Sequence, residues 1–160
     1  SNELKKIFLK KNKKIKMQSI NYIMDGFSEL KVHKDIFNAL KVLNKKKIKV
    51  ITLTNGSIMN TNLLLKKNKI ENLVDKCFSV DQFNIWKPHK DVYLNTCKIM
   101  KIKPDNSLMI AAHGWDINGA KLAGLKTAFI SRYEKNLSNF YLSPDFFGKD
   151  SCDIINQLRF

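Results

Sequence analysis

Residues suited to handling an anion stand at three separate places in this chain. Asp116 is the single acid in the stretch Ser107–Arg132, SLMIAAHGWDINGAKLAGLKTAFISR. It lies where an apolar run gives way to small and apolar residues at helical spacing. Lys87 opens the segment KPHKDVY, and Thr54 and Asn55 follow the run IKVITL. A threonine hydroxyl and an asparagine amide, joined by backbone N–H groups of a turn, bind negative charge. A lysine beside them favours the ionised form of a neighbouring carboxylate. Each element has a plainer explanation: Asp116 caps the helix after it, TNGS is only a turn, Lys87 is one surface lysine among many, and His113 is a partly buried loop residue. What points to a site is their shared order, each group following a strand.

Those strands and helices are legible in the hydrophobic pattern. Residues 2–24 read as one or two helices, with Leu4, Ile7, Phe8 and Ile15 spaced between lysines, and Gly26–Lys34 as a linker. Asp35 caps a helix to about Asn44 whose core face is Ile36, Ala39, Leu40 and Leu43. Ile48–Leu53 is β-branched and apolar, hence a strand, and a helix follows from Asn60 to about Lys69. Cys77–Val80 is a short strand, Asp81–Trp86 a loop, and His89–Met100 a helix with Val92, Tyr93, Cys97 and Met100 inward. Ser107–Ala112 has no helical period and reads as a buried parallel strand. Ile117–Gly124 is a helix and Lys126–Ile130 a strand; Pro144–Phe147 holds a brief last strand, and Ser151–Leu158 a closing helix capped by Asp150 or Ser151. Helix and strand alternate with short connections, the pattern of a parallel sheet covered on both faces. Ligands bind such sheets at the carboxyl ends of the strands.

Composition narrows the function classes. The chain has 160 residues, enough for one domain that buries roughly 70% of its unfolded surface. The net charge of +15 is almost entirely lysine, Arg132 and Arg159 being the arginines. Forked recognition of phosphates and bases favours arginine, and no aromatic residues interleave with the lysines as a stacking platform. A solvated basic surface, and not a nucleic-acid partner, is the expectation. No apolar run approaches a membrane span, so no membrane partner is expected. Cys77, Cys97 and Cys152 are odd in number and form no CxxC pair, which points to free thiols in a reducing, cytoplasmic setting.

From about Leu30 to the end, the sequence resembles the haloacid dehalogenase superfamily, and within it the (S)-2-haloacid dehalogenases. The segments LKVHKDIFNAL, LTNGS, KPHKDVY, AAHGWDINGAKLAGLKTAFISR and SPDFF occur in that family's order and roughly its spacing. The resemblance implies a Rossmann-like α/β core with a helical cap. It implies a hydrolase in which an aspartate near the N-terminus displaces halide from a small 2-haloacid and water then cleaves the aspartyl ester. Carried over by motif, Thr54 and Asn55 hold the substrate carboxylate and cradle the halide. Lys87 orients and charge-stabilises the nucleophile, and Tyr93 supports the site from the following helix. Trp115 contributes to the halide pocket, Asp116 binds Lys87 and positions the hydrolytic water, and His113 takes over part of that positioning. The implied partner is a small anionic substrate, with no cofactor and no metal; a homodimer stays open.

The sequence also departs from that pattern. No DxxGT-type segment precedes Leu30, Asp25-Gly26 being a superficial match, and the expected cap arginine is absent. Residues 1–30 therefore read as a remnant of the helical cap and its linker, and residues 31–160 as an incomplete core lacking its central strand. The expectation is an inactive C-terminal part of a longer enzyme, with exposed strand edges and marginal stability. Two other functions compete. A magnesium-dependent phosphatase of the same superfamily places two acids around Asp116, whereas Ala112 holds the first of those places here. A non-catalytic binding protein of the same fold fits the missing nucleophile and the basic surface.

Overall fold

The computed structural model describes residue 6 and residues 17–159. Its helices are α1 (Met17–Ser28), α2 (Lys34–Lys45), α3 (Ile58–Lys67), α4 (Lys90–Met100), α5 (Gly114–Leu122) and α6 (Ser151–Gln157). Its strands are β1 (Ile51–Thr54), β2 (Lys76–Ser79), β3 (Leu108–Ala111), β4 (Lys126–Ile130) and β5 (Phe146–Gly148). Of the stretch 2–24 expected as one or two helices, residues 17–24 lie in α1, and residues 2–5 and 7–16 lie outside the described residues. Gly26, expected in a linker, sits inside α1, which runs on to Ser28.

Every strand pairing is parallel, as the alternation of strand and helix requires. The strands form two sheets, β1–β2 and β3–β4–β5. Ile51 faces Lys76 across the first; Leu108 faces Lys126 and Ala128 faces Phe146 across the second. Neighbouring residues of β3 go to opposite faces, as the period of two demands. Met109 packs with Tyr93, Cys97 and Ala120 of α4 and α5. Ile110 packs with Ala39 and Leu43 of α2 and Ile155 of α6. Helices thus cover both faces, and the apolar interior is split into clusters instead of one continuous core.

Local chemistry sets the ends of the elements. Gly124 has φ +82°, and the N–H groups of Gly124 and Leu125 donate to the carbonyls of Lys121 and Ala120. That closes α5 with a left-handed glycine and turns the chain into β4. Asp150 caps α6 by accepting the Asp153 N–H at 2.9 Å. Asp35 does not cap α2. His33 stands at the cap position without a side-chain bond, and Asp35 lies in the first turn. Its carboxylate has a more distant task. One oxygen accepts from the Arg132 guanidinium at 2.7 Å and the other from the Ser151 N–H at 2.8 Å. This ties the start of α2 to the start of α6 and to the segment after β4.

Burial works to raise the Asp35 pKa, but the bonds from Ser151 and Arg132 outweigh it, and the carboxyl titrates below its ordinary range. A depressed folded-state value means that the stabilisation is complete above the unfolded value of about 3.9 and is lost as pH falls through the folded one. Asp35→Ala leaves a largely buried guanidinium and an amide without their acceptor. It should cost about 2–3 kcal/mol in urea unfolding at pH 7. The difference between wild type and variant should shrink as pH drops below about 4. A pH-independent difference would show that the charge of Asp35 is not what holds the two helices.

Candidate active site

The segments after β1 and β3 and the loop before α4 converge on Lys87. Its Nζ lies 2.7 Å from Asp116 Oδ2, and the two side chains are only 7% and 8% exposed. The other Asp116 oxygen, Oδ1, accepts the Tyr93 hydroxyl at 2.6 Å. Asp116 is in the first turn of α5, which begins three residues earlier than the sequence pattern implied. Its carboxylate is aimed at Lys87 and Tyr93, so the helix-cap explanation fails; His113 occupies the cap position and makes no side-chain cap bond. Burial first, and the adjoining carboxylate second, push the Tyr93 phenol far above its usual range, so it stays a donor at any ordinary pH.

Asn55 fixes the backbone beneath this pair. Its Oδ1 accepts the Lys87 N–H at 3.0 Å, and its Nδ2 donates to the Lys87 carbonyl at 3.3 Å. The amide that the family resemblance assigned to substrate thus clasps the lysine's own main chain. Thr54 Oγ1 accepts the Gly56 N–H at 2.9 Å, which folds the turn after β1. Ser79, at the end of β2, is 1% exposed and donates to the Gly56 carbonyl at 2.8 Å, tying that turn to the next strand. Gly119 lets α5 approach the Lys87-Pro88 segment. A Cβ there would stand 2.4 Å from the Pro88 carbonyl oxygen and 2.9 Å from the Tyr93 hydroxyl.

His113 lies to one side of this pair. Its Nδ1 is 3.0 Å from Glu134 Oε1, while Glu134 Oε2 accepts the Gly114 N–H at 2.9 Å. The Gly114 bond is the main reason that Glu134 titrates below its ordinary range, with His113 adding to it. The imidazole stacks on Trp115 (5.9 Å, 12°) and on Tyr133 (6.0 Å, 17°), and Lys87 Nζ stands 5.6 Å from the Trp115 ring centroid. The structure therefore gathers Lys87, Asp116, Tyr93 and Asn55 by direct bonds. His113 and Trp115 adjoin them through ring contacts, and Thr54 through the turn. Sequence reasoning missed Ser79, Gly119 and Glu134. The glycine could have been suspected from its place among small residues in INGAKLAG; nothing local marks the other two. Among the described residues no group of three His, Cys, Asp or Glu is placed to hold a metal ion. No helix among them is long and apolar enough to cross a membrane.

The family model of haloacid dehalogenase-like hydrolases matches residues 2–130. The chain belongs to this family. An (S)-2-haloacid dehalogenase of Pseudomonas sp. (strain CBS-3) is 29% identical over 72% of this chain and 51% of its own length. The chain thus spans about half the length of that relative. A pyrophosphatase PpaX of Bacillus thuringiensis (strain Al Hakam) is 26% identical over 77% of this chain and 57% of its own. Among solved structures, an L-2-haloacid dehalogenase from Xanthobacter autotrophicus with chloropropionic acid covalently bound superposes with TM-score 0.83 at 19% identity. That match covers 89% of this chain and 67% of the other. The α/β fold with parallel sheets is thus that of the haloacid dehalogenases.

The Tyr93 hydroxyl bond is one the pair depends on. Tyr93→Phe leaves a buried carboxylate oxygen short of its donor. It should lower unfolding stability by about 1.5–3 kcal/mol, read by urea denaturation of the 160-residue chain. A change under about 0.5 kcal/mol would mean that Asp116 does not need this donor.

Proposed function

We propose that the intact protein is a hydrolase of 2-haloacid dehalogenase type, to which these 160 residues contribute the lysine, the water-positioning acid and part of the substrate pocket. The observation that carries this reading is the buried Lys87–Asp116 pair at 2.7 Å, backed by Tyr93 and clasped by Asn55. In this reading a carboxylate from outside these residues attacks the carbon bearing the halogen. The C–O bond forms as the C–halogen bond breaks, and halide leaves with the electron pair. Two anions, nucleophile and substrate, must meet, and the Lys87 ammonium offsets their repulsion. Water then adds to the ester carbonyl and frees the hydroxyacid. The water's proton passes to a base, with Asp116 and the His113–Glu134 pair holding the water. Covalent capture fits the chloropropionic acid bound covalently in the Xanthobacter relative. Trp115, beside Lys87, supplies part of the halide pocket.

A phosphatase reading draws on the pyrophosphatase relative. The donor set does not suit it. Mg²⁺ takes hard oxygen ligands, whereas here Ala112, and not a second acid, precedes the helix that carries Asp116. An ammonium within bonding distance of the carboxylate also disfavours a cation there.

Incubating the full-length protein with a 2-haloacid and weighing it by mass spectrometry tests the roles. Lys87→Ala should suppress ester formation. Asp116→Asn, which keeps the shape but removes the charge that orients Lys87 and the water, should slow ester hydrolysis more than ester formation and let the adduct accumulate. Circular dichroism checks that both variants fold. Halide release near normal in both would sink the proposal. Turnover of a phosphate ester, abolished by EDTA and restored by Mg²⁺, would transfer the chain to the phosphatases.

A further inference from the structure

Helices α2 to α5 each leave toward the next strand through the same turn. Ile48, Ile70, Ile102 and Leu125 donate their N–H groups back to the carbonyls of Leu43, Leu65, Cys97 and Ala120. The residue before each of these donors is left-handed. It is Gly124 after α5, but Lys47, Lys69 and Lys101 after the others, with φ of 56°, 56° and 57°. Glycine takes this conformation freely, whereas a lysine Cβ crowds the neighbouring carbonyl oxygen. Three of the four turns thus carry a charged side chain at a conformational cost. The helix dipole accounts for lysines in a last turn, such as Lys45 and Lys98, but not for lysine in the place that suits glycine.

These turns lead to the edge where the parallel strands begin, opposite the edge that holds Lys87 and Asp116. Lysines scattered through the sequence are gathered there: KKKIK at residues 45–49, KIMKIK at residues 98–103, and Lys76 and Lys126 as the first residues of β2 and β4. All of these lysines are exposed. Ile48 and Lys49 from one sheet's side, and Ile102 and Lys126 from the other's, line one opening, so the segments adjoin in space. The acids at this edge are Glu71, Asp75, Asp105 and Asp145. Asp75 accepts the Val50 N–H, and Asp145 is engaged by Lys121. At the opposite edge Asp116, Glu134, Asp150 and Asp153 offset Lys87, Arg132, Lys135 and Lys149. Ile99 and Leu122 stand among the gathered lysines with 47% and 62% of their surface exposed. No aromatic residue occurs in segments 45–49, 98–103 or 121–126.

We infer that this edge is a docking face for an anionic lipid surface. The strand starts lie against the headgroups, and Lys87 and Asp116 are turned away from them. Ammonium groups so gathered attract anionic headgroups, and aliphatic side chains between them enter the headgroup boundary. Nucleic acid suits the face less, because bases find no ring to stack on and lysine lacks the fork that reads phosphates and bases. The expectation of no membrane partner rested on the lack of a spanning run, which does not bear on a surface contact. The face is independent of whether dehalogenation takes place at the other end of the strands.

Sedimentation of the full-length protein with phosphatidylcholine vesicles containing about a third phosphatidylserine tests this, against vesicles of phosphatidylcholine alone. Binding should require phosphatidylserine and should be lost toward about 0.5 M NaCl, where screening is short-ranged. Each lysine near such a surface is worth about fivefold in partitioning, so Lys47→Gly with Lys101→Gly should weaken binding about 25-fold. The same pair relieves two left-handed turns and should leave Tm unchanged or raised. Lys98→Gln with Lys103→Gln removes charge without touching those positions and should weaken binding by a similar factor. Lys90→Gln with Lys149→Gln, at the opposite edge, should leave it unchanged. Four results would overturn the inference: equal binding to both kinds of vesicle, no loss in the two variants of this edge, an equal loss in the opposite-edge variant, or a glycine variant with Tm lowered by several degrees, which would show that the lysines serve the turns themselves. Tighter binding to poly(U) than to the phosphatidylserine vesicles, weakened by the same substitutions, would also overturn it and assign the face to nucleic acid.

Discussion

The structure turns on one ion pair held almost out of water. Removing an ammonium and a carboxylate from solvent costs several kcal/mol per ion, and attraction repays it only with good geometry and with partners for the remaining lone pairs. Lys87 and Asp116 meet those terms. The carboxylate has a donor on each oxygen, and the lysine's main chain is clasped on both sides by Asn55. Gly119 allows the helix carrying the acid to press against the loop carrying the base. Three stretches far apart in sequence are therefore pinned to one point, which makes the common edge of the two sheets a site.

Much of this was readable in advance, where a residue's local sequence decides its local structure. Lys126–Ile130 forms β4 with the bounds its apolar run implies, and Gly124 ends α5 as a left-handed glycine. Other bounds moved for physical reasons. The helix expected from Ile117 starts at Gly114, because its first turn is paired by the site: the Gly114 N–H finds Glu134, and Asp116 finds Lys87. The helix expected from Asn60 starts at Ile58, with Ser57 as its cap. Asp35 looked like a cap in sequence, yet its partners lie 97 and 116 residues away, a distance no local pattern can encode. Ser79 and Glu134 were invisible for the same reason. The alternation of strands and helices announced parallel pairing, but not which strands would pair; hence the division into two sheets came only from the structure.

The surface carries a different message. The excess of lysine is spread over the chain, and several of those lysines are paired: Lys121 with Asp145 at 2.6 Å, and Lys67 with Glu29. Asp145 also accepts from the Thr127 N–H, which joins β4 to the segment before β5. Burial opposes its ionisation, but the Lys121 ammonium and the Thr127 N–H hold its carboxyl below the ordinary range. Such exposed pairs are worth little individually. Their value is in placing the chain around β4, whose residues 127–130 are all buried. Around β4 the exposed basic charge thus serves local tethering, while the most deeply buried charge pair among the described residues lies at the strand ends.

The way Asp116 is held limits what it can do. An ionised carboxylate offers about four acceptor positions, two on each oxygen. Tyr93 and Lys87 occupy one on each, so a position remains free on either oxygen. Asp116 can thus orient a water without giving up the partners that keep it in place. Accepting that water's proton would weaken its attraction to Lys87 inside a site with little solvent to compensate. The imidazole of His113 is under no such constraint. It is half exposed, held flat by stacking on Trp115 and Tyr133, and set beside a carboxylate, Glu134, that can stabilise added positive charge. The proposed mechanism therefore separates two tasks often given to one acid. In it, Asp116 keeps the lysine and a water in position, and the proton goes to the histidine one turn away in the chain.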